Sequence, residues 1–184
     1  PQSIRQAVAQ FLEEQPGTEI AGIISEWDPA KRTEVAKTIT AAATGAKPDA
    51  GQDMSLTIAD DGEGQSPDRV PDTFLSLSRS NKLRTPFVQG KFNMGGTGAL
   101  KFCGKNNLQL IVTKRCSTIV DDADGPDADK WSFTIVRREN PSEGRRNSVF
   151  TYLAPIGSEA KPRKGEVLRF AAETLPLFPV DNSD

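Results

Sequence analysis

At 184 residues the chain is long enough for one domain with an ordinary hydrophobic core. Its 36% hydrophobic and 26% charged content excludes an intrinsically disordered chain, and a net charge of -2 gives no whole-chain electrostatic footprint for nucleic acid. The sequence contains no histidine, which excludes Ser-His-Asp and Cys-His chemistry and most transition-metal sites, so any general base is a carboxylate, Lys or Tyr.

No apolar run approaches the ~20 residues that cross a bilayer, and no signal peptide is visible. Two cysteines, Cys103 and Cys116, make no disulfide framework. The expectation is a reducing, cytoplasmic setting without membrane contact. The start at Pro1 and the polar end suggest a piece of a longer chain.

In chain order, Ser3-Ile4-Arg5-Gln6 reads as a capping box: the serine hydroxyl caps the first turn and the glutamine reaches back. Ile4, Val8, Phe11 and Leu12 recur at helical spacing and predict a helix over residues 4–14, ended by Pro16-Gly17. Ile20, Ile23, Ile24 and Trp27 repeat the spacing and suggest a short second helix despite Gly22. Asp28-Pro29 is a strong restart, and Val35, Ile39, Ala42 and Ala43 predict a third helix running to Gly45. After a polar loop, Met54, Leu56 and Ile58 alternate with Ser55, Thr57 and Ala59, as in a half-buried strand that leads into Asp60. Ser66-Pro67 starts a short helix toward Leu75.

Residues 95–102 predict a helix entered from a glycine run and capped by Gly104. Residues 108–114 predict a strand, residues 116–130 a long acidic loop. Trp131, Phe133 and Ile135 alternate in a second strand, and Val149, Phe150, Tyr152 and Leu153 mark a third. Residues 166–170 fit a fourth strand or a short helix. Residues 1–175 then form one domain, with 1–50 as a helical N-terminal part or insertion and 176–184 as a loose tail. Helices first and hairpin-linked strands afterwards make an α+β pattern, with helices on one face of a mostly antiparallel sheet.

Two runs concentrate glycine where a backbone must come close to something. The first is Asp60-Asp61-Gly62-Glu63-Gly64-Gln65, at the end of a strand. An ionised carboxylate is acceptor-only and complements the exocyclic amine of a purine, and the glycines clear room for a flat base. An ordinary strand-to-turn junction is the alternative. The second is Gly90-Lys91-Phe92-Asn93-Met94-Gly95-Gly96-Thr97-Gly98, which precedes a helix and would turn free N–H groups toward phosphates. A glycine-rich turn at a close helix contact is the alternative. Neither run is a P-loop: Gly104-Lys105 is followed by Asn106, and Ala99 stands five residues before Gly104. Neither is a dinucleotide fingerprint, since Lys101 and Pro67 stand where the third glycine belongs.

Together, in order and spacing, the runs resemble the GHKL superfamily: gyrase B-type topoisomerases, ninety-kilodalton heat-shock chaperones, sensor histidine kinases and MutL. Residues 60–104 also resemble a little-characterised bacterial subgroup of GHKL-type proteins. The resemblance implies a Bergerat fold, a two-layer sandwich of helices on a mixed, mostly antiparallel sheet. It makes Asp60, Gly62 and Gly64 the first glycine box, with Asp60 as the adenine carboxylate. It makes Gly90 and Gly95 the first and last glycines of the second box, with Asn93 replacing the middle one. Gly96 and Gly98 would restore the flexibility lost at Asn93. Ser80, Asn81 and Lys82 fall in the segment that forms the nucleotide lid.

The family's upstream Glu-x-x-x-Asn box is matched only by Glu34-Val35-Ala36-Lys37-Thr38. By resemblance Glu34 would activate water and Thr38 would offer Mg²⁺ one weak oxygen. Glu34 on a solvated helix face is the alternative, and the third family box is missing. ATP or ADP and Mg²⁺ are the implied ligands, possible ATPase chemistry the implied activity. Self-association or a protein partner would follow lid closure, and nucleic acid enters by family analogy alone. A non-catalytic interaction module with a degenerate site is the competing function.

Elsewhere, Asp121-Asp122-Ala123-Asp124-Gly125 with Asp127 and Asp129 suggests a Ca²⁺ loop but lacks the EF-hand glutamate, so a solvated acidic loop is the simpler reading. Arg137, Arg138, Arg145 and Arg146 are balanced by Glu139 and Glu143 and read as a solvated face. Cys103, Trp27 and Trp131 read as packing residues.

Overall fold

In a computed structural model of the chain, residues 2–12, 22–44, 55–76 and 94–171 are described. Three α-helices and six strands lie among them, in an α+β arrangement whose strand pairs are all antiparallel. None of the helices is long and apolar enough to cross a membrane.

Helix α1 (Ile4–Phe11) starts where the sequence places it. Ser3 Oγ accepts the Gln6 N–H at 3.1 Å. Gln6 reaches back one residue further than a capping box requires, its Oε1 accepting from Gln2 N at 2.6 Å. The expected second helix is reduced to a single 3₁₀ turn, Ile24–Glu26. Gly22 stands before it at φ +78, with the Arg5 carbonyl so close that a Cβ would lie 2.0 Å from it. Trp27 is buried, with Lys31 Nζ 4.4 Å from its ring centre.

Helix α2 (Pro29–Ala36) is capped by Asp28, whose Oδ1 accepts from Ala30 N at 2.8 Å. It stops well short of Gly45. The residues expected to continue it form strand β1 (Ile39–Thr44), which pairs with β2 (Ser55–Asp60) from Ile39↔Asp60 to Thr44↔Ser55. The β-branched run Thr38-Ile39-Thr40 favours an extended chain, and six pairs to β2 outweigh the helix propensity of the alanines. The hairpin is also turned the other way from the half-buried strand expected. Leu56 and Ile58 point outward at 72% and 68% exposure, and Thr57 and Ala59 lie on the more covered side.

After β2 the chain makes a turn and a 3₁₀ segment (Val70–Asp72) in place of a helix, with Pro71 inside it. Helix α3 (Met94–Ala99) continues as a 3₁₀ turn, Leu100–Phe102, and ends at Gly104 with φ +59, as the sequence indicates. Strands β3 (Leu108–Lys114), β4 (Trp131–Glu139), β5 (Val149–Tyr152) and β6 (Leu168–Phe170) form the second sheet. β4 is its centre. β3 covers one edge along Trp131–Arg137, while β6 and β5 share the other, at Trp131–Phe133 and Val136–Glu139.

The buried side of this sheet is not the aromatic side. Ser132, Thr134 and Val136 are buried, and the Leu100–Phe102 turn packs on β4 with Leu100 fully enclosed. The two hydroxyls are satisfied by carbonyls: Ser132 Oγ donates to Thr113 O at 3.2 Å and Thr134 Oγ1 to Leu153 O at 2.9 Å. Trp131 and Phe133 are half-buried on the opposite side against Phe170, with ring centres 6.5 and 5.8 Å apart.

Candidate functional site

Strand β2 delivers Asp60 to the corner between the two sheets. Asp60 Oδ1 accepts the Gly62 N–H at 2.9 Å, a tight turn over the strand end, and a Cβ on residue 62 would lie 2.5 Å from that oxygen. One carboxylate oxygen is thus fixed, and the exposed group takes no further bond among the described residues. Next to it, Asp61 N donates to Thr38 O at 3.0 Å, which ties the end of the α2 region to the first glycine box.

The box then lies along the end of β3. Cys116 N donates to Glu63 O at 2.9 Å, and Gln65 N to Thr113 Oγ1 at 3.0 Å. Gly64 (φ +57) is pressed against the chain there: a Cβ would stand 1.7 Å from the Lys114 carbonyl. Arg115 clamps the box from below. Its Nη1 lies 3.4 Å from both the Glu63 carboxylate and the Gly64 carbonyl, and Nη2 donates to Ile119 O at 3.2 Å.

Arg115 is held by Asp124, which is fully buried. Arg115 Nε donates to Asp124 Oδ2 at 3.1 Å, and Asp121 N donates to the same oxygen at 3.0 Å. Arg69 Nε lies 2.8 Å from Asp124 Oδ1 but off the line of a hydrogen bond, so that contact is an ion pair only. Burial works against the ionised form of Asp124, yet the Asp121 N–H and the two guanidinium groups outweigh it and hold its pKa below the ordinary carboxylate value. Burial likewise disfavours the Arg115 cation, and Asp124 and Glu63 more than restore it. The thiol of Cys116, 3.1 Å from the Thr118 hydroxyl, is shifted down by hydrogen bonds from Thr118 and by the Arg115 charge.

This clamp corrects the solvated acidic loop expected from residues 121–129. Asp121 and Asp124 form a capping box around one 3₁₀ turn, Asp127 is held by Lys130 and Arg169, and among the described residues no cluster of carboxylates and thiols can hold a metal ion. The sequence signal for it was Asp121-x-x-Asp124 itself, a capping-box spacing. Gln65 Oε1 and Ser66 Oγ, directly after the glycine box, are buried and take no protein hydrogen bond. A cavity of about 390 Å³ shares Arg115 with the clamp and is lined further by Ser117, Val120, Pro126 and Ala128; Asp60 does not line it.

The other sequence-derived residues are less assembled. Glu34 is exposed and its Oε2 lies 2.8 Å from Lys37 Nζ. Thr38 lies beyond the end of α2, so the pair does not share the helix face that i,i+4 spacing implied; its hydroxyl donates to Val35 O at 2.7 Å. Met94, Gly95, Gly96, Thr97 and Gly98 sit inside α3 rather than before it, and Gly95, Gly96 and Gly98 are exposed. Ser80, Asn81, Lys82, Gly90, Lys91, Phe92 and Asn93 lie outside the described residues. Compared with family models, with curated proteins and with solved structures, the chain matches none.

Proposed function

We propose that this chain is an ATP-binding domain of GHKL type with a Bergerat arrangement of helices on its sheet, in which Asp60 reads the adenine amine. The observation that carries this reading is the corner at Asp60. A glutamate-bearing helix leads into a hairpin, the hairpin ends in Asp60-x-Gly62-x-Gly64, and the free side of the carboxylate faces outward beside a backbone tied down on both flanks. Two buried, unpaired acceptors or donors at Gln65 and Ser66 add support, because such groups gain from a ligand or water partner. The phosphate and lid roles implied for residues 80–98 fall largely outside the described residues.

The donor set fits a purine better than a resident metal. Glu34 is paired with Lys37, and a threonine hydroxyl bonded to Val35 O is a poor substitute for an amide oxygen. Mg²⁺ would therefore arrive as the counter-ion of the triphosphate, and no step is assigned to Glu34 or Thr38. That same geometry favours a second reading, a module that binds nucleotide or a partner without turnover.

Calorimetric titration with a non-hydrolysable ATP analogue, with and without Mg²⁺, tests both. Asp60→Asn keeps the oxygen that accepts from Gly62 and replaces the other with a donor, so the turn survives while the adenine contact is lost. The expected result is a loss of ~10-fold or more in affinity with unchanged circular dichroism. Equal affinity in the variant overturns the role of Asp60. Phosphate release from ATP by the wild-type chain, abolished in Glu34→Gln, would overturn the non-catalytic reading.

A further inference from the structure

The outward side of the second sheet is apolar and unpartnered among the described residues. Leu110, Ile135 and Leu153 form a row across it: Leu110 pairs with Ile135, and Leu153 N donates to Ile135 O at 3.0 Å. Their exposures are 56%, 38% and 42%. Phe133 and Trp131 continue the surface along β4 toward Phe170. This is not the core side, because the alternate residues Ser132 and Thr134 are fully buried beneath it. Nor does it involve the nucleotide corner, since the glycine box meets β3 through Thr113, on the opposite side.

Two cations frame the face along the strand direction. Arg137, opposite Leu108, closes one end, and Lys114, opposite Trp131 with its Nζ 5.9 Å from the ring centre, closes the other. Neither has a carboxylate partner among the described residues, whereas Glu139 is bound to Arg145. Six residues of strand separate the two charges along the sheet, roughly 20 Å, and three strands give a width of about 10 Å.

We infer that this face docks an amphipathic helical segment of a protein partner whose apolar stripe is bordered by carboxylates at both ends. A helix is about 10 Å across and needs ~13 residues to run 20 Å, so one helix laid along the strands fits the surface. A second copy of this chain fits poorly, because the same face laid on itself would set Lys114 and Arg137 against each other's like charges. The framing charges set which segments are accepted.

The probe is a fluorescein-labelled 14-residue amphipathic peptide with leucines at helical spacing and two glutamates at each end, titrated with the full chain by fluorescence anisotropy. The expected result is saturable binding, weakened ~10-fold by Leu110→Asp at unchanged circular dichroism. A peptide with lysines at its ends should bind at least ~10-fold more weakly, and the preference should invert in the double variant Lys114→Glu, Arg137→Glu. Equal affinity for the two peptides, or a preference that survives the charge reversal, overturns the proposal. So does Leu110-dependent self-association in sedimentation, which assigns the face to a second copy. Leu110-dependent binding to phosphatidylserine vesicles without peptide binding assigns it to a lipid surface and overturns it as well.

Discussion

Asp124 supports the glycine box at one remove, through Arg115, although it lies more than sixty positions from Asp60. With no exposed surface it sits between Arg115 and Arg69, and its loss of charge would leave two guanidinium groups facing each other. Its pKa is lowered in the folded chain, as is that of Asp127, which Lys130 and Arg169 hold in the charged form. A lowered folded value means that both groups contribute stability in full above the ordinary carboxylate value of about 3.9, and lose it as pH falls through their folded values. Urea midpoints should therefore be nearly level between pH 7 and pH 5 and drop below about pH 4, and Asp124→Asn should be less stable at pH 7 and flatter in acid. A wild-type midpoint independent of pH down to 3 would remove Asp124 from this role.

Among the elements, the first glycine box acts as a strap across the end of β3, held by Cys116 N and Thr113 Oγ1. Gly64→Ala should cost about 2 kcal/mol or more, because the residue has a positive φ and its new methyl group would meet the Lys114 carbonyl. Thermal unfolding of the variant checks it; an unchanged midpoint would mean the strap is loose. That residues 60–65 form a glycine-dependent turn after a strand was legible in the sequence; that Gly64 is pressed on the Lys114 carbonyl of β3 was not, since that contact is 50 positions away. β3 and β4 were legible too, as their apolar alternation is long and free of glycine and proline. β1 was not. Ala41, Ala42 and Ala43 carry no shape that separates helix from strand, and Val35 with Ile39 imitates helical spacing; only pairing with β2 decides it. The side that faces the core was equally hidden. Period-two alternation marks two faces of β4 but cannot say that Ser132 and Thr134 are inside, since that depends on carbonyls of β3 and Leu153 that satisfy them. The Glu63–Arg115 clamp spans 52 positions and left no local pattern.

For the whole molecule, the parts that bear on the proposed function come together where the residues after β2 meet the end of β3. The hairpin supplies Asp60, β3 supports the glycine box, and the loop between β3 and β4 supplies the buried counter-charge. The apolar face proposed as a docking surface lies across the second sheet from this corner. A nucleotide and a helical partner would thus occupy opposite sides of β3 without competing for the same side chains.

The unequal pairing of the strands has a further consequence. β4 is bonded to three strands along its two edges, whereas β1 and β2 are bonded only to each other among the described strands. Opening β4 requires undoing the whole second sheet; opening the hairpin requires undoing one ladder. Amide hydrogen exchange should accordingly fall into two tiers, with Thr134 and Val136 exposed only by global unfolding and Ala41 to Ala43 released by a smaller, local event. Asp60 stands at the base of that ladder, opposite Ile39. Any ligand gripping its carboxylate would therefore slow exchange in the hairpin first and leave β4 unchanged. The backbone of β1, which touches no ligand in this scheme, becomes the most sensitive reporter of whether the site is filled.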